Sequence, residues 1–156
     1  MKNRNLDNHN DWATPDYVLK ELDKEFKFDF DPCPLHNDLE KWDGLREDWS
    51  GTSVFLNPPY NRKVKEAFIH KAVEESRKGK TIVMLLPVST STKIFHEVIL
   101  KHAAEIRFIR KRIKFKGMNT KGEYVSDKPP MHDSMIIVFK ANPYSLTIDS
   151  QEFSDD

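Results

Sequence analysis

Apolar residues recur on two different periods along this chain, and the switches between them mark out its elements. Val18, Leu19, Leu22 and Phe26 fall at helical spacing, which predicts a helix with one buried face. Thr14-Pro15-Asp16 stands just ahead of them. A threonine oxygen able to accept from free backbone amides, a proline preset for the first turn and an acid at the positive end predict the helix start there. Phe26, Phe28 and Phe30 then alternate with Lys27 and Asp29, the period of a half-buried strand. Asp31-Pro32-Cys33-Pro34 ends it, because proline cannot continue regular pairing.

Residues 35–50 carry weak signals, with Asp43-Gly44 reading as a turn. Thr52 to Leu56 predicts a short strand running into Asn57, and Val64, Ala67, Phe68, Lys71, Ala72 and Glu75 trace a helix that stops at Gly79. Thr81 to Leu86 (TIVMLL) is apolar without alternation and is halted by Pro87, the mark of a central strand covered on both faces. Ser91 or Thr92 can cap a helix carrying Ile94, Phe95, Val98 and Ile99; Glu105 to Ile109 and Ser134 to Phe139 are further strands. Gly117 to Pro130 reads as a mobile loop.

Strands alternating with helices predict a single α/β domain, its sheet mostly parallel with helices on both faces. The last two strands have no helix between them and predict an antiparallel C-terminal hairpin at one edge. The domain is expected over residues 11–144, with polar, frayed ends at 1–10 and 145–156. Ligands of such sheets sit beyond the carboxyl ends of the strands, and two of those ends carry polar residues, Asp31 and Asn57.

Composition removes several classes of function. A chain of 156 residues suits one core. Lysine plus arginine and aspartate plus glutamate stand at 25 each, so no global field draws the protein to a polyanion and any nucleic-acid contact has to come from a local patch. Cys33 is the one cysteine, which excludes an internal disulfide framework and fits a reducing compartment. No apolar stretch approaches the roughly 18 residues of a membrane span, and the start MKNRNLDNHN does not resemble a signal peptide. A soluble cytoplasmic protein is expected. The six histidines are scattered without ligand spacing, and no metal is expected.

The candidate chemistry lies in VFLNPPYN, residues 54–61. The amine on a nucleobase ring is a poor nucleophile because its lone pair is delocalised. Two acceptors that take hydrogen bonds from both of its hydrogens favour a tetrahedral nitrogen with the lone pair available. The Asn57 side-chain oxygen is one such acceptor and the Pro58 carbonyl a second, its direction stiffened by proline. Tyr60 offers a face for an extruded base. Read from these residues alone, Asn57-Pro58-Pro59-Tyr60 serves equally well as a rigid turn. The densest basic segment, RFIRKRIKFKG from Arg107, contains Arg110, Arg112 and Lys114; with Arg62 and Lys63 after the motif these are candidate phosphate contacts. An edge strand protected by lysines is the plain alternative.

WATP at Trp12–Pro15, FDFDPCP at Phe28–Pro34, VFLNPPYN at Val54–Asn61, TIVMLLPVSTSTKIF at Thr81–Phe95, RIKF at Arg112–Phe115 and SMIIVF at Ser134–Phe139 occur in order. Together they resemble the Dam-like DNA N6-adenine methyltransferases of phages and prophages, a branch of the S-adenosylmethionine-dependent methyltransferases. The resemblance implies a Rossmann-like class I methyltransferase domain acting on duplex DNA in a bacterial or phage-infected cell, as in DNA modification. It implies base flipping, with Asn57, Pro58, Pro59 and Tyr60 as the catalytic motif. Trp12, Thr14 and Pro15 would help hold S-adenosylmethionine, and Asp31, followed by Pro32, would meet the donor's amino group.

Two departures stand out. Pro32-Cys33-Pro34 replaces the glycine-rich turn expected after the first strand, and the span from Asp31 to Asn57 is too short for two full strand–helix units. The donor's ribose then falls to Asp43 or Asp48, with Asp48 placed in the site. Cytosine N4 and a protein glutamine amide are alternative acceptors, and a non-catalytic DNA-binding module with a degenerate donor site is the alternative of another class.

Overall fold

The strand predicted to be covered on both faces is β3, Thr81–Pro87. Along it Ile82, Met84 and Leu86 point to one side, Val83 and Leu85 to the other, and all five are buried. The computed structural model describes residues 12–33, 43–118, 124–128, 132–141 and 145–154. Before β3 come β1 (Trp12–Ala13), α1 (Asp16–Phe26), β2 (Ser53–Leu56) and α2 (Arg62–Ser76). After it come a π-helical turn (Phe95–Ile99) running into α3 (Leu100–His102), then β4 (Glu105–Arg110), β5 (Phe115–Met118), β6 (Tyr124–Lys128), β7 (Ser134–Phe139) and β8 (Thr147–Glu152).

The main sheet has the order β2-β3-β7-β4-β8. β2 lies parallel to β3 and β4 parallel to β8, while β7 is antiparallel to both β3 and β4. Four strands therefore run one way with β7 reversed among them, and Leu56, Pro87, Arg110 and Glu152 end on one rim. α1 covers one face through Val18 and Leu22, against Phe55, Val83, Leu85, Ile136 and Val138. α2 and the π-turn cover the other through Phe68, Ile69, Ala72, Phe95 and Ile99. The α/β class and the two helical layers agree with the sequence pattern.

The edge hairpin is corrected. β4 and β7 do pair antiparallel, but β7 sits inside the sheet. All six residues of SMIIVF are buried, and a strand apolar on both faces needs neighbours on both sides. The outer position goes instead to β8, so residues 147–153, within the end read as frayed, are paired or buried, while 155–156 lie outside the described residues. β8 is polar because most of its side chains are exposed; its backbone pairs with β4 from Thr147 to Glu152 and Phe153 is 4% exposed.

Within Gly117–Pro130, read as a loop, β6 and the end of β5 are strands; 119–123 and 129–130, like 1–10, lie outside the described residues. A second sheet of order β1-β5-β6 joins Trp12 to Gly117 and Ala13 to Lys116 in antiparallel register. Two residues are too short a run for periodicity to reveal β1.

Two further local readings change. α1 begins after Pro15, whose carbonyl accepts from Val18 and Leu19 N–H at 3.1 Å, with no side-chain cap; Thr14 is thus not the cap. Phe26 ends α1, closed by Lys27 at φ 51, and the predicted strand shrinks to a bridge of Phe30 with Val54. That bridge is clamped by Asp29. Its carboxylate accepts from Thr52 and Ser53 N–H at 3.0–3.1 Å and from the Thr52 hydroxyl at 3.3 Å, which lowers its pKa. Gly51 passes beside it at φ 85, where an added Cβ would lie 2.4 Å from Asp29 Oδ1.

The 43–52 loop is tied to the end of α2. Fully buried Glu75 accepts from Trp49 N–H at 3.1 Å and from Lys80 Nζ at 2.7 Å, with Lys78 beside it. Burial pushes this carboxyl up, but the hydrogen bonds outweigh it and hold it at about 2, against an ordinary 4.5. Glu75→Ala strands the lysines and the Trp49 amide and is expected to cost about 3 kcal/mol in urea denaturation. Because the folded value is depressed, the contribution is present above pH 4.5 and lost as pH falls towards 2; the gap between wild type and variant should close over that window.

Candidate active site

A cleft of about 560 Å3 opens beside the carboxyl end of β2. Ala13 and Thr14 contribute from the link into α1, and Phe28, Phe30, Asp31 and Cys33 from the bridged segment; Phe55 and Asn57 come from β2 and its end. The remaining wall is the outer face of α1, with Asp16, Leu19, Lys20 and Asp23. Those four stand at positions i, i+3, i+4 and i+7, so a single helix stripe faces the cleft. None was read as a cleft residue from the sequence, where Leu19 was counted in the buried face; the i, i+3, i+4, i+7 spacing is the signal that would have shown this second stripe.

The register explains why Asp31 and Asn57 meet. Phe30 bridges Val54, which puts Asp31 level with Phe55. Residues two apart share a face, so Phe55 and Asn57 both look to the α1 side. Asp31 Oδ1 accepts from Cys33 N–H at 2.8 Å, closing an Asx turn in place of a glycine-rich one. The carboxylate is open to cleft water, but protein surrounds it; that burial pushes it up to about 6, with the Cys33 bond offsetting part of the rise. Asp16, Asp23 and Asp31 against Lys20 give the cleft an excess of acid. Phe28, Phe30 and Phe55 give it an apolar wall.

Asn57 Oδ1 exposes less than 1 Å2, and Pro58 and Pro59 are buried. Tyr60 turns away from the cleft. Its ring meets Phe115 edge-on at 6.0 Å and His132 at 5.1 Å, and its buried hydroxyl has no hydrogen-bond partner among the described residues. Burial pushes that phenol up.

Thr14, Asp31 and Asn57 are thus brought together. Pro15 and Pro32 are buried beside the cleft without lining it, and Trp12 is placed only by its backbone pairing with Gly117. Asp48 does not line this cleft. Asp48 lies 3.5 Å from Lys78, because Glu75 draws its loop towards α2. Asp43 is likewise used locally, accepting from Leu45 N–H at 2.9 Å.

Of the cations, Arg62 and Lys63 open α2 next to the motif, Arg62 being 3.0 Å from Glu66. Arg110 is 3.8 Å from Glu152 and Arg112 is 3.2 Å from Asp133. With Lys114 they are exposed at the carboxyl end of β4. Arg107, in the same basic run, instead turns inward to Glu25 and Glu105, over the Phe26 ring at 5.3 Å.

The family model for DNA N-6-adenine-methyltransferase (Dam) matches residues 2–155. The chain belongs to this family. It is an enzyme, a methyltransferase. A DNA N-6-adenine-methyltransferase of Haemophilus phage HP1 is 34% identical over 145 residues, covering 85% of this chain and 80% of the relative. One of Escherichia phage T1 is 33% identical over 112 residues, covering 63% of this chain and 44% of the relative. Among solved structures, a Listeria monocytogenes protein assigned to the class I S-adenosylmethionine-dependent methyltransferases aligns at TM-score 0.43 and 16% identity, over 69% of this chain and 39% of that one. Among the described residues no helix of this Dam-family chain is long and apolar enough to cross a membrane.

Two predictions follow from burial in the site. A carboxyl raised from 3.8 to about 6 favours folding below pH 3.8 and loses that contribution as pH rises through 6. Asp31→Asn should therefore melt with wild type near pH 4 and about 2–4 °C above it at pH 8, a span kept small by water in the open cleft. Tyr60→Phe removes an unpaired hydroxyl and should raise stability by up to about 1 kcal/mol in chemical denaturation.

Proposed function

We propose that this protein transfers the methyl group of S-adenosylmethionine to the exocyclic N6 amine of adenine in DNA. The observation that carries the reading is the meeting of Asn57 with Asp31 in one acidic, aromatic-walled cleft on the rim where four strands end. The cleft suits such a donor in size and charge. Asp31 would face its ammonium group, Asp16 and Asp23 would complement the sulfonium, and the phenylalanines would flank its adenine. Thr14 offers a hydroxyl at the same wall.

The donor supplies an activated methyl on sulfur; the chain supplies alignment. Asn57 Oδ1 and the Pro58 carbonyl would take hydrogen bonds from the two amine hydrogens and keep the nitrogen lone pair aimed at the methyl; as the N6–carbon bond forms the carbon–sulfur bond breaks, the spent donor leaves as a neutral thioether, and N6 gives up one proton to solvent. Burial of Pro58 and Pro59 supports a Pro58 carbonyl held in advance, which is where electrostatic catalysis has its effect. Because Asn57 Oδ1 is shielded, an adenine in a duplex has to leave the stack to reach it. Arg62, Lys63, Arg110, Arg112 and Lys114, exposed near this rim, would hold the phosphates. An open, acidic cleft beside Asn57 favours the enzyme over a DNA-binding module that has lost its donor site.

The test is incubation with radiolabelled donor and unmethylated duplex DNA, followed by nucleoside analysis. Label in N6-methyl-2′-deoxyadenosine is expected; label in N4-methyl-2′-deoxycytidine or in protein, or none in DNA, overturns the assignment. Asn57→Ala should lower methyl transfer by about 100- to 1,000-fold while calorimetric donor affinity stays within about threefold. Wild-type turnover in that variant would remove Asn57 from the mechanism.

A further inference from the structure

At the other side of the rim, β4 runs out into the turn Arg110–Lys114, whose sequence is Arg-Lys-Arg-Ile-Lys. Ile113 is 1% exposed, so the turn is anchored inward while Lys111, Arg112 and Lys114 are exposed. Lys111 holds φ 67, a left-handed conformation that costs a lysine energy and that glycine adopts freely. A bulky cation is thus kept where the backbone favours none.

Between this turn and α1 lies a recess of about 270 Å3, walled by Tyr17, Lys111, Arg112 and Lys114 over Ile113 and Phe153. The Tyr17 hydroxyl accepts from Lys114 N–H at 3.2 Å, which leaves its own proton to donate to an anion. Glu152 is shared between Arg110 at 3.8 Å and Lys111 at 3.9 Å, and Asp133 lies 3.2 Å from Arg112; the cations of the turn thus exceed these two carboxylates. In the order β2-β3-β7-β4-β8, the end of β4 stands three strand spacings from that of β2, about 14 Å. A duplex rises about 3.4 Å per base pair, so this span equals about four base pairs.

We propose that this recess seats a backbone phosphodiester of the DNA, about four base pairs from the adenine presented to Asn57. Lys111 and Lys114 supply the charge and Tyr17 a neutral donor. The assignment rests on DNA being the substrate and adds a seat that anchors the duplex apart from the reacting base.

Lys111→Gly is the informative variant, because glycine keeps the left-handed turn and removes only the cation. Its melting temperature should hold or rise. In fluorescence anisotropy with a labelled duplex, its affinity should fall about 5- to 10-fold near 0.1 M potassium chloride, and the slope of log affinity against log salt should shrink by about 1. Tyr17→Phe should weaken binding without changing the slope. Lys101→Ala, at the opposite end of β4, should change neither, and S-adenosylmethionine affinity should be unaltered in all three. Wild-type affinity and slope in both Lys111→Gly and Tyr17→Phe overturn the recess. If the wild type binds and methylates DNA while these variants behave like it, only the recess falls; if the wild type binds no DNA, the substrate reading falls with it.

Discussion

The site depends on one contact, the bridge between Phe30 and Val54. A single bridge cannot hold register unaided, and a slip of one residue would turn Asp31 and its neighbours to the other face. Asp29 prevents the slip. Its carboxylate takes the Thr52 and Ser53 amides just ahead of β2, so the segment ending at Asp31 is locked to the strand ending at Asn57. Gly51 is the residue that tolerates this closeness, since any side chain there would strike Asp29. Four polar or minimal residues, Asp29, Gly51, Thr52 and Ser53, none of them lining the cleft, thereby determine which residues do.

Charge is arranged with the same economy. The chain carries 25 acids and 25 bases, yet they separate by function. Acids collect where α1 faces the cleft, and cations collect at the ends of β4 and the start of α2. A cationic donor and a polyanionic substrate would thus be met by different local fields within one neutral molecule. Arg107 shows the converse: paired with Glu25 and Glu105, it serves packing and leaves the rim to its neighbours.

The legible parts of the fold were those set by burial. The TIVMLL and SMIIVF runs were recognisable as strands because every position is apolar, and the α1 and α2 faces because apolar residues recur at helical spacing. Strand order was not legible: the sequence placed β7 at an edge by its connection to β4, whereas its two apolar faces required the interior. β8 was hidden for the opposite reason, since an edge strand held by backbone pairing needs no apolar side chains. In the site, Thr14, Asp31 and Asn57 were legible from motifs. The position of Asp48 outside this cleft was not legible, because the Glu75 cluster that directs its loop is a tertiary arrangement, with partners from Trp49 to Lys80.

The replacement of a glycine-rich turn by Pro32-Cys33-Pro34 bears directly on how the donor would be held. A glycine turn offers bare backbone amides to its ligand; here the Cys33 amide is already occupied by Asp31 Oδ1. Holding therefore has to shift from backbone to side chains. The α1 stripe of Asp16, Lys20 and Asp23 would supply those side chains where a longer chain would use another strand–helix unit. Such a site relies more on charge than on shape, and ionisation of Asp31 becomes a larger share of the attraction. A carboxyl poised near pH 6 is largely ionised in neutral solution, and a bound cation would draw it further in that direction. The cost that the surrounding protein imposes on that carboxylate is the quantity that a cationic ligand would relieve on binding.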